Sequence, residues 1–165
     1  ITNDGVRTYT YDNEGRSDRI TKNSLSIVNT YDPLGQRIKK TVGSQFITYV
    51  YNEDGQLIGE YDTNNVMLRE YIWLGDRLVG MQSSQYPNQV LRVNTDHLGT
   101  VRAVSLPNAS NTVLWRWEGD QFGDVLPNED VDANGQTLTM PLRHPGYEEG
   151  KAKHRFAPTQ DEGYA

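Results

Sequence analysis

The sequence predicts an all-β protein, a ribbon of antiparallel hairpins that curls into a sheet. Three observations predict it. A motif built on Tyr-Asp-x-x-Gly returns every twenty residues: Tyr11-Asp12 with Gly15-Arg16, Tyr31-Asp32-Pro33-Leu34-Gly35-Gln36-Arg37-Ile38, Tyr51-Asn52-Glu53-Asp54-Gly55-Gln56-Leu57-Ile58, and Tyr71-Ile72-Trp73-Leu74-Gly75-Asp76-Arg77-Leu78. Fixed spacing of this kind marks a repeat array. The segments between copies favour β-branched and aromatic residues, as in Gln45-Phe46-Ile47-Thr48-Tyr49-Val50, a composition suited to a pleated surface. Helical periodicity is convincing nowhere.

Each copy reads as a turn between strands. Asp32 can accept a hydrogen bond from the turn backbone, Pro33 suits the second position, and Gly35 reaches positive φ without a Cβ clash. The tyrosine ends the incoming strand, and Arg37-Ile38 opens the outgoing one. Twenty residues hold two turns and two strands of about seven residues, each roughly 23 Å long. The repeat unit is therefore a hairpin. A half-period echo stands at Tyr61-Asp62, with Asn64-Asn65 where the glycine would be. Leu57–Tyr61 and Val66–Trp73 flank it as strands.

After Gly75 the glycine spacing relaxes, to Gly99 and then Gly123. Val90–Thr95, Val101–Leu106 and Asn111–Trp117 read as strands, the last with Val113, Trp115 and Trp117 on one face. Ser83 to Gln89 reads as a polar loop around Pro87, and Pro127 to Gly135 as a longer acidic one. Residues 147–165 mix charge, glycine and proline without a strand pattern, and read as a poorly ordered tail. Three regions result: repeats over 1–80, a second strand region over 81–146, and the tail.

The 165 residues suffice for one domain with a core. Hydrophobic residues make up only 35%, which suits a sheet with one covered face better than a three-layer domain. The net charge of −6 argues against a nucleic-acid footprint or an anionic membrane surface. The sequence has no cysteine, so thiol and disulfide chemistry are excluded. It has no long apolar run for membrane insertion. The pattern is already running at Ile1, which predicts a piece of a longer array.

Candidate chemistry is sparse. Asp96-His97 invites a catalytic dyad, but neighbours on a strand point to opposite faces, and turn and cross-strand hydrogen bonds explain both. The other histidines are His144 and His154. Asp130-Val131-Asp132-Ala133-Asn134-Gly135 has the first half of a calcium loop. Its twelfth position would be Pro141 rather than glutamate, so an acidic loop with an Asn134-Gly135 turn is expected. The aromatics Tyr9, Tyr11, Tyr31, Tyr49, Tyr51, Tyr61, Tyr71, Trp73, Trp115 and Trp117 could stack sugars. Their place in the repeat favours cross-strand pairs. Asp12, Asp32, Asp54 and Asp62 could serve a glycosidase, yet they are assigned to the turns. The residues thus predict no catalytic, cofactor or metal site, and a chain that is not an enzyme.

The repeats resemble the YD repeats of Rhs proteins, insecticidal toxin complexes and teneurins. Val93-Asn94-Thr95-Asp96-His97-Leu98-Gly99-Thr100-Val101-Arg102, followed by Val113-Leu114-Trp115-Arg116-Trp117, is similar to the bacterial Rhs core signature. Tyr71-Ile72-Trp73-Leu74-Gly75-Asp76 and Asp120-Gln121-Phe122-Gly123 match the flanking pattern, so the resemblance covers roughly residues 5–146. It implies a strand ribbon coiled into a hollow shell around a C-terminal toxin, one that is bacterial and exported or surface-bound. The implied partners are other YD repeats and a toxin cargo. The family's aspartate-dependent self-cleavage is not carried over, because no Asp-Pro follows Gly146. Two other functions remain open from the residues: a carbohydrate- or cell-surface-binding module using the aromatics, and a hydrolase using turn carboxylates. Strand edges at Ile1–Tyr11 and near Gly123–Leu142 are expected to promote self-association.

Overall fold

A computed structural model describes residues 2–119 and 125–142. The expected tail, His144, His154 and the motif Asp120–Gly123 lie outside the described residues. The described fold is all-β: β1 (Thr8–Tyr11), β2 (Ser17–Lys22), β3 (Leu25–Tyr31), β4 (Arg37–Val42), β5 (Gln45–Tyr51), β6 (Leu57–Tyr61), β7 (Met67–Leu74), β8 (Arg77–Ser83), β9 (Tyr86–Thr95), β10 (Val101–Ser105) and β11 (Val113–Arg116). Strand order in the sheet is chain order. The sequence expectation of an antiparallel hairpin array is met. The chain divides into two compact units, one ending at Tyr71 and the next beginning at Ile72.

In the first unit, two turn types alternate. At Asp32 the Gly35 N–H closes on the Asp32 carbonyl at 3.0 Å, and the Asp32 N–H donates to the Gln36 carbonyl at 2.9 Å. The Asp32 Oδ1 accepts the Gln36 N–H at 2.8 Å. Gly35 sits at φ 88°, the left-handed conformation that lets a bulged five-residue loop follow the strand twist. Asp12 and Asn52 build the same turn. So does Asp62, where Asn65 takes φ 60° in place of glycine, as asparagine can. The other ends close with two residues: Asn23-Ser24 between Lys22 and Leu25, and Gly43-Ser44 between Val42 and Gln45.

The fourth copy differs from expectation. Both ends of the short strand β6 carry five-residue turns, so the ribbon changes phase at Asp62. Tyr71 therefore falls inside β7, and Gly75 (φ 60°) belongs to a two-residue connection.

In the second unit, Ser83–Gln89 is not a loop. Only Ser84-Gln85 turns, and β9 already starts at Tyr86. Pro87 and Asn88 (φ 64°) lie in a bulge where the β8–β9 register shifts, a place where proline's missing N–H is tolerated. Residues 125–142 do not leave the edge of β11 open. Arg116 and Asn128 exchange backbone bonds of 2.9 and 2.8 Å, and the Val131 N–H reaches the Leu114 carbonyl at 3.2 Å. The same segment then reaches the β8–β9 turn. There the Tyr86 hydroxyl donates to the Gln136 carbonyl at 3.1 Å, and the Thr139 N–H to Gln85 Oε1 at 3.0 Å. Leu138 and Met140 are completely buried, as are Met81, Leu91, Val104, Leu114 and Trp115. This is the core.

Candidate functional site

The repeated chemistry of the first unit is a set of links between successive hairpins. The Tyr31 hydroxyl donates to the Ser17 carbonyl at 2.9 Å, and the Tyr51 hydroxyl to the Arg37 carbonyl at 3.1 Å. In both cases the acceptor lies fourteen residues back, two beyond the preceding turn glycine. Cations cover the rings. Arg16 stacks 4.8 Å from the Tyr31 centroid, Arg37 4.8 Å from Tyr49, and Lys39 3.8 Å from Phe46. Such contacts contribute about 0.5–1 kcal/mol at exposed positions. Arg16 is fixed in turn by Asp12, its Nε donating to Asp12 Oδ2 at 2.6 Å. Burial raises the Asp12 carboxyl, but the Arg16 backbone and guanidinium donors outweigh it and hold the group below the usual carboxylate range.

A buried charge centre closes this unit. Tyr49, Glu60 and Arg69 face one another across β5, β6 and β7. Glu60 is buried. Its Oε1 accepts the Tyr71 hydroxyl at 2.5 Å, and its Oε2 pairs with Arg69 Nη1 at 2.9 Å. Burial, reinforced by the Glu60 charge, pushes the Tyr71 phenol well above its ordinary value. Tyr61 donates to Glu70 Oε1 at 2.7 Å, which raises its phenol too. Its ring lies over Gly59, where an added Cβ would sit 2.7 Å from Tyr61 Cε2. Sequence reasoning missed Glu60 because a glutamate in a strand ordinarily reads as solvent-facing. It also missed the tyrosine links, although the constant offset from tyrosine to the residue after the preceding turn was available.

In the second unit, Asp96 lies in a turn, as expected, and does not form a dyad with His97. Asp96 Oδ1 accepts the Leu98 and Thr100 N–H groups at 2.9 and 3.0 Å, and Oδ2 accepts Arg102 Nε at 3.0 Å. Burial raises this carboxyl, and the Thr100 N–H and Arg102 outweigh it, so the group stays below the usual range. His97 is exposed on the turn. Arg102 continues to the Gly119 carbonyl at 2.7 Å and stacks 5.3 Å from the Trp117 ring. The Trp117 indole donates to the Val125 carbonyl at 2.7 Å. The signature from Asp96 to Trp117 is one connected brace.

Of the ten aromatics that could stack sugars, cations lie on Tyr31, Tyr49 and Trp117, and Tyr71, Trp115 and Trp117 are buried, so these rings are not open faces, while Tyr11 is exposed. The carboxylates of Asp12, Asp32 and Asp62 accept turn N–H groups, as their turn assignment requires. In the acidic loop Asp130 is likewise engaged: Oδ1 accepts the Asn134 N–H at 3.0 Å and Oδ2 the Gly135 N–H at 3.1 Å. Among the described residues no three His, Cys, Asp or Glu side chains cluster as metal ligands would.

No family model matches the chain. It is 27% identical over 151 residues, 89% of its length, to the tRNA3(Ser)-specific nuclease WapA of Bacillus spizizenii. The matched stretch spans 6% of that relative's length. This finding overturns the sequence-based expectation of a chain that is not an enzyme, because the relative is a nuclease by name. The expectation rested on a repeat pattern that accounts for turns and strands and carries no information about a larger protein's activity.

Proposed function

We propose that this chain is a run of wall strands in an Rhs-like, toxin-bearing protein with nuclease activity, and that the wall contains the nuclease until release. The observation that supports this best is the link between hairpins. Tyrosine to carbonyl at a constant offset, repeated from Tyr31 to Tyr51, is how an array gains stability from nearest neighbours rather than from one central core. The match to a tRNA-specific nuclease along most of the chain supports nuclease as the class of activity. Transfer RNA is then the substrate class to examine first. The partners are further hairpins of the same ribbon and the enclosed nuclease.

The test uses the whole protein that carries this chain. Its cleavage of tRNA is compared with that of a form carrying Tyr31→Phe, Tyr51→Phe and Glu60→Ala together. Low cleavage by the parent and a marked rise in the loosened form are expected. Absence of tRNA cleavage in both would end the nuclease reading, and equal cleavage in both would end the containment reading.

A further inference from the structure

Asn134-Gly135 forms an exposed tip of the segment that covers β11, and its surroundings are arranged around one backbone nitrogen. The Gly135 N–H donates to Asp130 Oδ2 at 3.1 Å. The Asn134 side-chain oxygen Oδ1 accepts the Gln136 N–H at 2.6 Å, and its Nδ2 donates to Asp132 Oδ2 at 2.9 Å. Gly135 has φ 82°, and nothing lies within 4 Å of where a Cβ would stand. Attack of a backbone nitrogen on the preceding asparagine side chain closes a five-membered ring. That reaction needs a base at the attacking N–H, a donor at the amide oxygen that gains negative charge, and an unhindered approach. Asp130 stands where the base must be. The Gln136 N–H stands where the oxyanion donor must be. Glycine leaves the approach open.

We propose that Asn134 is a self-modification site, converted in the folded protein to aspartate and isoaspartate through a cyclic imide. The bond from the Gly135 nitrogen to the Asn134 side-chain carbonyl carbon forms as the nitrogen's proton passes to Asp130. The bond from that carbon to Nδ2 then breaks, and ammonia leaves carrying a proton returned from Asp130. Water adds to either imide carbonyl and opens the ring. The net change is amide plus water to acid plus ammonia, with no oxidant or reductant.

The product alters its surroundings. The new carboxylate has no N–H to offer Asp132, and it stands against the Asp132 carboxylate. Two residues on, Gln136 holds the β8–β9 turn through its contacts with Gln85 and Tyr86. Modification therefore loosens the attachment of the segment that covers β11.

The experiment holds the intact protein at neutral pH and follows Asn134 by peptide mass mapping and isoaspartate methylation. Parallel samples are unfolded in urea or carry Asp130→Ala. Conversion is expected to be faster in the folded chain than in urea. Asp130→Ala should slow the folded rate by up to roughly a hundredfold, the lower end of what a positioned base contributes. Conversion no faster folded than unfolded would overturn the proposal. So would an unchanged rate in Asp130→Ala with its circular dichroism intact. Should that variant unfold, the folded and urea samples of the parent decide alone.

Discussion

The two units solve the same problem with different interactions. In the second, Met81, Leu91, Val104, Leu114, Trp115, Leu138 and Met140 are removed from water entirely, each contributing about 1.5–3 kcal/mol. In the first, Tyr71 is the one buried apolar side chain among the described residues, and the other buried residues are Ser17, Asn29, Gly59 and Glu60. A strictly repeated hairpin presents the same half-apolar faces at every step and gathers little core of its own. Its strands are held by register, by capped turns and by side chains reaching into the hairpin before. The lesson is that an antiparallel meander can be held by links in one unit and by a core in the next, where a returning segment, 125–142, packs on β11 and the β8–β9 turn.

The largest effect should come from the core. Trp115→Ala is expected to cost about 3–5 kcal/mol, whereas Val28→Ala, half-buried in the first unit, should cost about 1 kcal/mol. Urea denaturation of both variants checks the contrast, and similar costs would erase it.

Next comes Glu60, the one place where the first unit depends on a buried centre. Glu60→Ala takes the carboxylate from Arg69 and Tyr71 together, and breaking a buried pair costs roughly 3 kcal/mol. A one-residue slip of β6 would turn Glu60 to the opposite face, so the pair also fixes register. A loss under about 1 kcal/mol in the same assay would show that the centre is dispensable.

The tyrosine links rank third. Tyr31→Phe and Tyr51→Phe each remove one hydroxyl donor and keep the ring, so each should cost about 1 kcal/mol. The two bonds share no partner, and the double variant should show the sum. A much larger double effect would mean that neighbouring hairpins fold as one cooperative block.

Much of this was legible in the sequence, for physical reasons. Asp32 and Gly35 are dictated by a turn that needs an acceptor and a left-handed residue, so the hairpins could be placed from spacing alone. The Asn65 substitution was legible for the same reason. The phase change at Asp62 was not, because Tyr71 and Gly75 keep the twenty-residue step in sequence while exchanging ends of the ribbon. Pro87 misled because proline ordinarily ends a strand, and here a bulge accommodates it. In the candidate site, Asp96 was placed correctly in a turn, but its brace to Arg102, Gly119 and Trp117 depends on strands brought together by folding. Glu60 and Arg69 are nine residues apart and meet only through the β6–β7 register.

The smallest expected effect tests the end of the first unit farthest from its buried centre along the strand order. Asp4 gathers three donors before β1: the Tyr9 hydroxyl at 2.6 Å, and the Val6 and Arg7 N–H groups at 2.9 and 2.6 Å. The Tyr9 hydroxyl foremost, then the Arg7 and Val6 N–H groups, lower the carboxyl from its ordinary 3.8 to about 2. A depressed folded value means that the unfolded chain binds the proton more readily. The stabilisation is therefore complete above pH 3.8 and is lost as the pH falls through about 2. Because β1 is mostly exposed, no core hides the loss. The amide protons of Val6 and Arg7 should therefore exchange faster with solvent, relative to their unfolded-chain rates, as the pH falls through this window, and Asp4→Asn should abolish that pH dependence. Unchanged protection as the pH falls below about 2 would mean that the turn from Asp4 to Arg7 is held by its backbone bond of 3.2 Å without help from the carboxylate.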